Sequence, residues 1–516
     1  MKRIWLIALG FVSFGAVSGA VLAQQYTPPP PPPLAPTEIK MPPKRMAPPV
    51  PALRQTRVYE IFTTTCSGCH GQNLQPGAQA KSLFTSAYLG SHSDADIVQA
   101  VSDGPSGVAN HDFKRLFNPD EISQFPAYLR IVAGNLNRHS PAVPDITGKV
   151  IQSQKAKFKV ETLVKGLNQP WGMAFLPDGR LIFTERSGNL RFMDKTGKIS
   201  EPVKGTPTVF ERQDGGLLDI ALHPDYAHNG WIYLSYSTVP AGYQPTPEEY
   251  KAPNLSAPTM THIVRGKVNA NNEWVEQQML FDPPADSYRT SADHYGSRFL
   301  FDGKGHFFWS MGERHDYQMS QNLASPLGKI HRLNDDGTIP SDNPFVHTPG
   351  ALGSVWTYGH RNPEGLAFDP ATGIFWESEH GPTGGDEINI IEPGKDYGWG
   401  VATKGLEPGI FRTSATGMTD PITFFNPAIG PSGITFYTGD KFPGWKGSFF
   451  LSAMVGQKLI RMEIKDRQIV SQETVFADYG RVRDVLTGPD GNLYLLLQNM
   501  NGDAKGGSII RLVPAK

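Results

Sequence analysis

Cysteine is nearly absent: Cys66 and Cys69 are the only two in 516 residues, which rules out a fold stapled by disulfides. Charge of one sign is also missing, since 48 Lys and Arg stand against 49 Asp and Glu for a net charge of -1. The cationic surface that duplex nucleic acid demands is therefore not available. Long apolar runs are confined to the segment before Ala23, and nothing after it is long enough to span a bilayer. What the chain has in abundance is glycine (54) and proline (45). That load defeats long helices and points to many short strands joined by turns.

Residues 1–23 begin with Lys2 and Arg3, continue through the apolar stretches Ile4 to Leu9 and Phe11 to Val17, and end at Val21-Leu22-Ala23. This order is that of a secretory signal peptide, with an uncleaved membrane anchor as the alternative, and it predicts a periplasmic protein whose only membrane contact is that segment. Residues 24–51 hold twelve prolines, six of them consecutive from Pro28 to Pro33. Such a stretch favours extended polyproline II and reads as a semi-rigid spacer.

From 52 to 138 the pattern turns helical. Asn118-Pro119-Asp120-Glu121 supplies an N-cap, a proline at the first helical position and an acid at the third, ahead of Ile122, Phe125 and Leu129 on one face. Ser93 with Asp96 caps another helix. Pro126 falls inside the last helical pattern and is expected to kink it. A helical domain of fewer than about ninety residues is short of core and needs a bound group to complete its interior.

Cys66-Ser67-Gly68-Cys69-His70 identifies a candidate for that group, because C-x-x-C-H is the attachment sequence of c-type haem. Two thiols on one turn add to the vinyl groups, and the adjacent imidazole of His70 ligates the iron. A redox dithiol and part of a zinc site are the alternatives, although no further cysteine exists to finish a zinc set. The region resembles cytochrome c over about eighty residues. That family usually takes Met as the second axial ligand, but no Met occurs between His70 and Met173. His111 is therefore the expected sixth ligand, with His92 as its competitor and an open iron as the remaining possibility. Two imidazoles would give a lower potential than His with Met.

After a polar connector at 139–155, the remaining chain from 156 to 516 alternates apolar strands with recurring turns. Examples are Leu176-Pro177-Asp178-Gly179, Phe301-Asp302-Gly303, Phe368-Asp369-Pro370 and Gly488-Pro489-Asp490-Gly491. Repeats at irregular spacing read as an all-β fold, a β-propeller; at about 60 residues per blade six blades fit, while seven blades or paired sandwiches stay open. Charge concentrates where turns belong, at Asp293-His294, His360-Arg361-Asn362, Arg481-Val482-Arg483-Asp484 and Glu379-His380-Gly381-Pro382. Brought to one end of the ring, these guanidiniums, imidazole and carbonyls suit a planar polyanion.

The stretch from about Leu163 onward resembles the pyrroloquinoline quinone (PQQ)-dependent soluble glucose dehydrogenase and aldose sugar dehydrogenase family. The likeness rests on Asn168-Gln169-Pro170-Trp171-Gly172, Gly216-Leu217-Leu218-Asp219, Tyr358-Gly359-His360-Arg361-Asn362-Pro363, Gly385-Asp386-Glu387-Ile388-Asn389, Tyr397-Gly398-Trp399 and Arg481-Val482-Arg483-Asp484-Val485. It implies a six-bladed propeller with PQQ and Ca²⁺ at its mouth. By the same resemblance His294 is the base for the anomeric hydroxyl, Glu313 the acid that orients it in place of the family's Asp, and Asp293 a wall of the sugar pocket. Arg361, Asn362, Arg481 and Arg483 hold the quinone, and the Gly381 and Pro382 carbonyls face calcium. Two departures stand out: Asp214 occupies the place of a usual Gln at the cofactor, and Val455 that of a usual Lys.

Together these readings describe a periplasmic quinohaemoprotein that oxidises an aldose at C1 to the lactone and sends electrons through covalent haem c to a cytochrome or respiratory-chain acceptor. A calcium-dependent propeller lactonase and a carbohydrate-binding propeller with a haem carrier and a degenerate PQQ site are the alternatives.

Overall fold

The computed structural model describes residues 56–70, 80–104, 111, 113–114, 117–136, 146–251, 256–498 and 506–515. The expected signal peptide and proline-rich spacer lie outside the described residues, as does the first half of the connector.

Six sheets form the larger part of the molecule. Their innermost strands are Pro170–Phe175, Leu217–Leu222, Phe299–Phe301, Pro363–Phe368, Pro431–Phe436 and Arg481–Thr487. Each touches the next and the last touches the first, so the sheets close into a six-bladed propeller. Closure comes from chain segments far apart: Lys157–Leu167 pairs antiparallel with Gly507–Pro514 in the sixth sheet. Val150–Gln152 adds an outer strand to that sheet, inside the stretch read as connector.

Side chains alternating off neighbouring sheets fill the six gaps between blades. Trp376, Phe449 and Leu451 lie between the fourth and fifth blades, and Phe158, Trp445 and Leu495 between the fifth and sixth, all fully buried. The inner strands share a further feature. Five carry a register irregularity near their first residues: Pro170/Met173, Leu217/Ile220, Pro363/Gly365, Pro431/Ile434 and Val482/Asp484. Irregularities of this kind end regular pairing and re-aim side chains, and they all sit at the end of the ring where the charged loops gather.

A helical module precedes the ring. Arg57–Ile61 runs through a π-helical turn, Phe62–Cys66, into Ser67–His70. Ser93 and Asn118 both form reciprocal capping boxes, with Asp96 and Glu121. The expectation for Pro126 needs correcting, because the chain ends one helix at Ser123, turns at Gln124, and starts another, Phe125–Leu136, with Pro126 in its first turn. There the missing N–H costs nothing, so proline marks a boundary rather than a kink. The module's core packs Phe62 against Phe84 and Tyr128, with ring centroids 5.2 and 5.1 Å apart, and it also includes Leu406 of the propeller. Among the described residues no helix is long and apolar enough to cross a membrane.

Candidate functional site

Loops at one end of the ring bring together most of the charged residues read from the sequence. His294 lies on the loop entering the third inner strand and Glu313 just past His306–Met311 of the same blade. Both are buried, and His294 Nδ1–H donates to Glu313. Gly312 permits this approach, because a Cβ there would stand 2.1 Å from the His294 carbonyl oxygen. Burial, aided by the positive charges of Arg361, His315, His380 and Arg314, holds the His294 imidazole well below its ordinary value. Burial likewise pushes the Glu313 carboxyl up to about 7. With Nδ1–H committed to Glu313, the second ring nitrogen is left as a proton acceptor.

The backbone at this corner is unusual. His294, Ser297, Arg314 and His315 have φ values of 58°, 85°, 57° and 58°. Left-handed backbone at residues other than glycine costs on the order of 1 kcal/mol each and clusters where a site imposes its geometry. Arg314 pins the corner by donating to the carbonyls of Asp293 (2.9 Å), Thr259 (2.8 Å) and Ser291. His315 stacks on His294 with centroids 4.1 Å apart and brings Nε2 to 3.3 Å from Asp293 Oδ2. His315 had no place in the sequence reading.

Beside this dyad stand the cations. Arg361 donates Nη1–H to the Gly381 carbonyl at 2.7 Å and lies over Trp399, while Arg483 pairs with Glu364. Arg481 touches Met454 Sδ at 3.7 Å, in the turn that holds Val455. Arg186, which sequence reasoning missed, joins them from the end of Leu181–Glu185 and donates to the Gln213 carbonyl. The Nε–H groups of Arg186, Arg361 and Arg483 are buried and have no partner among the described residues. Burial lowers Arg186 and Arg481, and the Arg483 charge lowers both further. Unpaired buried donors on three guanidiniums at one end of the ring suit an anion. Asp214 lies in the same field, its carboxyl raised by burial and by Asp293 and Glu364.

Two sequence-derived residues have other partners here. Asn362 is fully buried, accepting from Gly296 N–H at 2.9 Å and donating to Glu364 at 3.1 Å. The Gly381 carbonyl, bonded to Arg361, keeps one lone pair, and Pro382 follows it on the same loop. Beneath that loop His360, Glu377 and Glu379 bring ligand atoms within 4.8 Å of one another, an oxygen-rich arrangement of the type hard cations prefer.

In the helical module His70 and His111 lie with ring centroids 6.0 Å apart and planes at 76°. Two imidazoles on opposite sides of one metal, with bonds of roughly 2 Å, stand about that far apart. His70 Nδ1 bonds the Lys81 carbonyl at 3.0 Å, the partner that leaves Nε2 for a metal. His111 Nδ1 is buried without a partner among the described residues. His92 instead stacks on Tyr88 at 4.3 Å and bonds the Tyr88 carbonyl. Burial, with Cys69 nearby, pushes the Cys66 thiol up to about 11, the opposite of what a redox dithiol requires.

The geometry agrees with the relationships of the chain. Residues 167–511 match the glucose/sorbosone dehydrogenase family model. The aldose sugar dehydrogenase YliI of Escherichia coli is 37% identical over 356 residues, covering 67% of this chain and 92% of that protein. The apo crystal structure of the soluble aldose sugar dehydrogenase from E. coli superposes with a TM-score of 0.63 at 34% identity, covering 69% of this chain and all of that one. The PQQ-bound aldose sugar dehydrogenase of Streptomyces coelicolor gives 0.56 at 29% identity, over 69% of this chain and 98% of that one. The chain belongs to the glucose/sorbosone dehydrogenase family, and its propeller is that of a sugar dehydrogenase.

Proposed function

We propose that the protein is a periplasmic quinohaemoprotein that oxidises an aldose at C1 to the lactone and delivers the electrons through haem c to a downstream acceptor. The observation that carries this reading is the set of buried guanidinium N–H groups left unpaired at the same mouth as the His294–Glu313 dyad. A planar tricarboxylate such as PQQ would match them in charge and in the acceptors it offers. PQQ supplies two-electron redox chemistry when bound, and haem c takes electrons one at a time.

The remaining work falls to the chain's own side chains. Arg186, Arg361, Arg481 and Arg483 would hold the carboxylates and quinone oxygens of the cofactor. His294 accepts the proton of the anomeric hydroxyl at the ring nitrogen turned away from Glu313, and Glu313 fixes the tautomer and orientation of that ring. Asp293, tied to His315, lines the sugar pocket. The Gly381 and Pro382 carbonyls are the proposed calcium contacts. Cys66 and Cys69 would attach the haem, and His70 and His111 would ligate its iron; the separation of those two rings supports this choice over His92.

The lactonase reading fares worse on one observation. Asp219 and Asp484, carboxylates of the channel that a hydrolytic metal would want, both pair with Arg298. Asp214 and Val455 favour the degenerate carbohydrate-binding propeller, and one experiment separates the readings. Full-length protein is loaded with PQQ and Ca²⁺, mixed with a panel of aldoses in a stopped-flow spectrometer, and watched for haem reduction. Sugar-dependent reduction is expected. Haem that stays oxidised with every aldose, while PQQ is demonstrably bound, contradicts the proposal.

A further inference from the structure

The chain between Asp386–Ile390 and Thr423–Phe425 is long, and residues 403–412 within it fold back as a strap on the loop before it. Leu406 donates to the Thr383 carbonyl at 3.1 Å and accepts from the Thr383 N–H at 3.3 Å. Thr403 N–H donates to the Arg412 carbonyl at 2.9 Å and Ile410 N–H to the Glu407 carbonyl at 3.1 Å. Gly405 and Gly384 meet backbone to backbone, since a Cβ on Gly405 would stand 2.2 Å from the Gly384 carbonyl oxygen. Asn426 clamps both layers, accepting from Gly385 N–H at 2.7 Å and donating to the Lys404 carbonyl at 3.0 Å.

Leu406 of the strap is wholly buried in the apolar core of the helical module, alongside Phe125 and Ile131. Gln124 Nε2 donates to the Ile410 carbonyl at 3.2 Å, and a Cβ on Gly384 would lie 2.7 Å from Ile131 Cδ1. The module thus rests directly on the Gly381–Gly385 loop. The very next residue, Glu407, is partly exposed, and its strap lies on the loop whose Gly381 carbonyl accepts from Arg361 at 2.7 Å, the Arg361 carbonyl in turn accepting from Glu313 N–H at 2.8 Å. Burial raises the Glu407 carboxyl while Arg361 and His315 draw it back down, and its charge in turn raises Glu313. One short strap therefore joins the core of the helical module to the loop that holds Arg361 beside the dyad.

We infer that the 403–412 strap couples docking of the helical module to sugar binding: Leu406 and Ile410 hold the module, and the register they impose sets Glu407 at the rim of the His294 pocket to bond aldose hydroxyls. Leu406 and Ile131 are positioning residues in this scheme, acting through Glu407. The inference rests on the sugar-oxidising reading of the mouth.

Steady-state kinetics on the full-length protein loaded with PQQ and Ca²⁺, using a dye that takes electrons without the haem, test it. Glu407→Gln should raise the aldose KM about tenfold with kcat little changed, as loss of a charged hydrogen bond made equally in ground and transition states requires. Leu406→Ser, and Ile131→Ala altered from the module side alone, should each raise KM roughly threefold or more by the same route. Hydrogen exchange on the protein without PQQ or sugar gives a second readout: Ile131→Ala should speed exchange at the Thr403, Leu406 and Ile410 amides. A KM rise confined to Glu407→Gln, or parental KM in both docking variants once circular dichroism shows them folded, overturns the coupling. A parent protein that oxidises no aldose fails the functional reading instead. The exchange result then decides the coupling, and unchanged strap protection in Ile131→Ala overturns it.

Discussion

One guanidinium deep in the ring and the group at its mouth are treated in opposite ways. Arg298 donates Nε–H to the Glu364 carbonyl at 2.8 Å, places Nη1 3.1 Å from Asp219 and 3.2 Å from Asp484, and lies over Trp171 at 4.4 Å. Burial works against its charge, yet the carboxylates of Asp219, Asp484 and Glu364 outweigh that cost and hold it above its ordinary value. At the mouth, Arg186 and Arg481 are lowered, and the Nε–H groups of Arg186, Arg361 and Arg483 have no partner among the described residues. A buried cation with its donors filled is structural. Partly buried cations grouped with donors to spare suit a site that receives negative charge.

The comparison breaks most visibly at Arg298. Arg298→Met leaves Asp219 and Asp484 buried without their partner and should cost about 3–5 kcal/mol of stability, read by urea or thermal unfolding. A loss below about 1 kcal/mol would mean the channel carboxylates are not held as charges. His294→Ala should do the reverse. Turnover should fall by about 10²–10⁴-fold while unfolding and quinone binding stay close to the parent. In the parent, because burial sets His294 well below 6.5, the imidazole stays neutral as pH falls through 6.5. The acid limb of kcat/KM set by the ring should therefore lie below that pH, where the ring gains a proton and ceases to be a base, while a change near 7 reports the Glu313 carboxyl that orients it.

Arg186→Ala should lower quinone affinity by roughly ten- to a hundredfold, the worth of a charged hydrogen bond, with stability unchanged or improved. Equilibrium dialysis against free PQQ measures this. The smallest change sharpens the contrast from the other side: Val455→Lys adds a cation in the turn that meets Arg481 and should tighten quinone binding by a few-fold, in line with a partly exposed ion pair.

Some of this was legible in the chain itself. The turn signatures fell where strands meet, Pro177-Asp178-Gly179 between Phe175 and Leu181 and Pro489-Asp490-Gly491 between Thr487 and Leu493. His294 was legible because Asp293-His294 concentrates charge where a turn belongs, whereas Glu313 in Met311-Gly312-Glu313 came only through the family resemblance. Arg186 was not, since a single Arg after an apolar strand is the commonest kind of surface residue and only the fold turns it inward. Leu406 carries no signal either: one apolar residue in a glycine-rich loop has no periodicity, and its partners lie in another module far back in sequence. Closure of the ring through Lys157–Leu167 and Gly507–Pro514 is a pairing of the same kind, set by topology rather than by local pattern. Asn362, read from the motif as a cofactor contact, accepts from Gly296 N–H and donates to Glu364 at the same mouth.

Calorimetric titration of PQQ into the full-length protein with Ca²⁺ present tests the central claim most directly. Saturable binding at one quinone per chain, strongly weakened in an Arg186→Ala, Arg481→Ala double variant and retained in His294→Ala, is the predicted result. No binding heat, or equal affinity in the parent and the double variant, would contradict it.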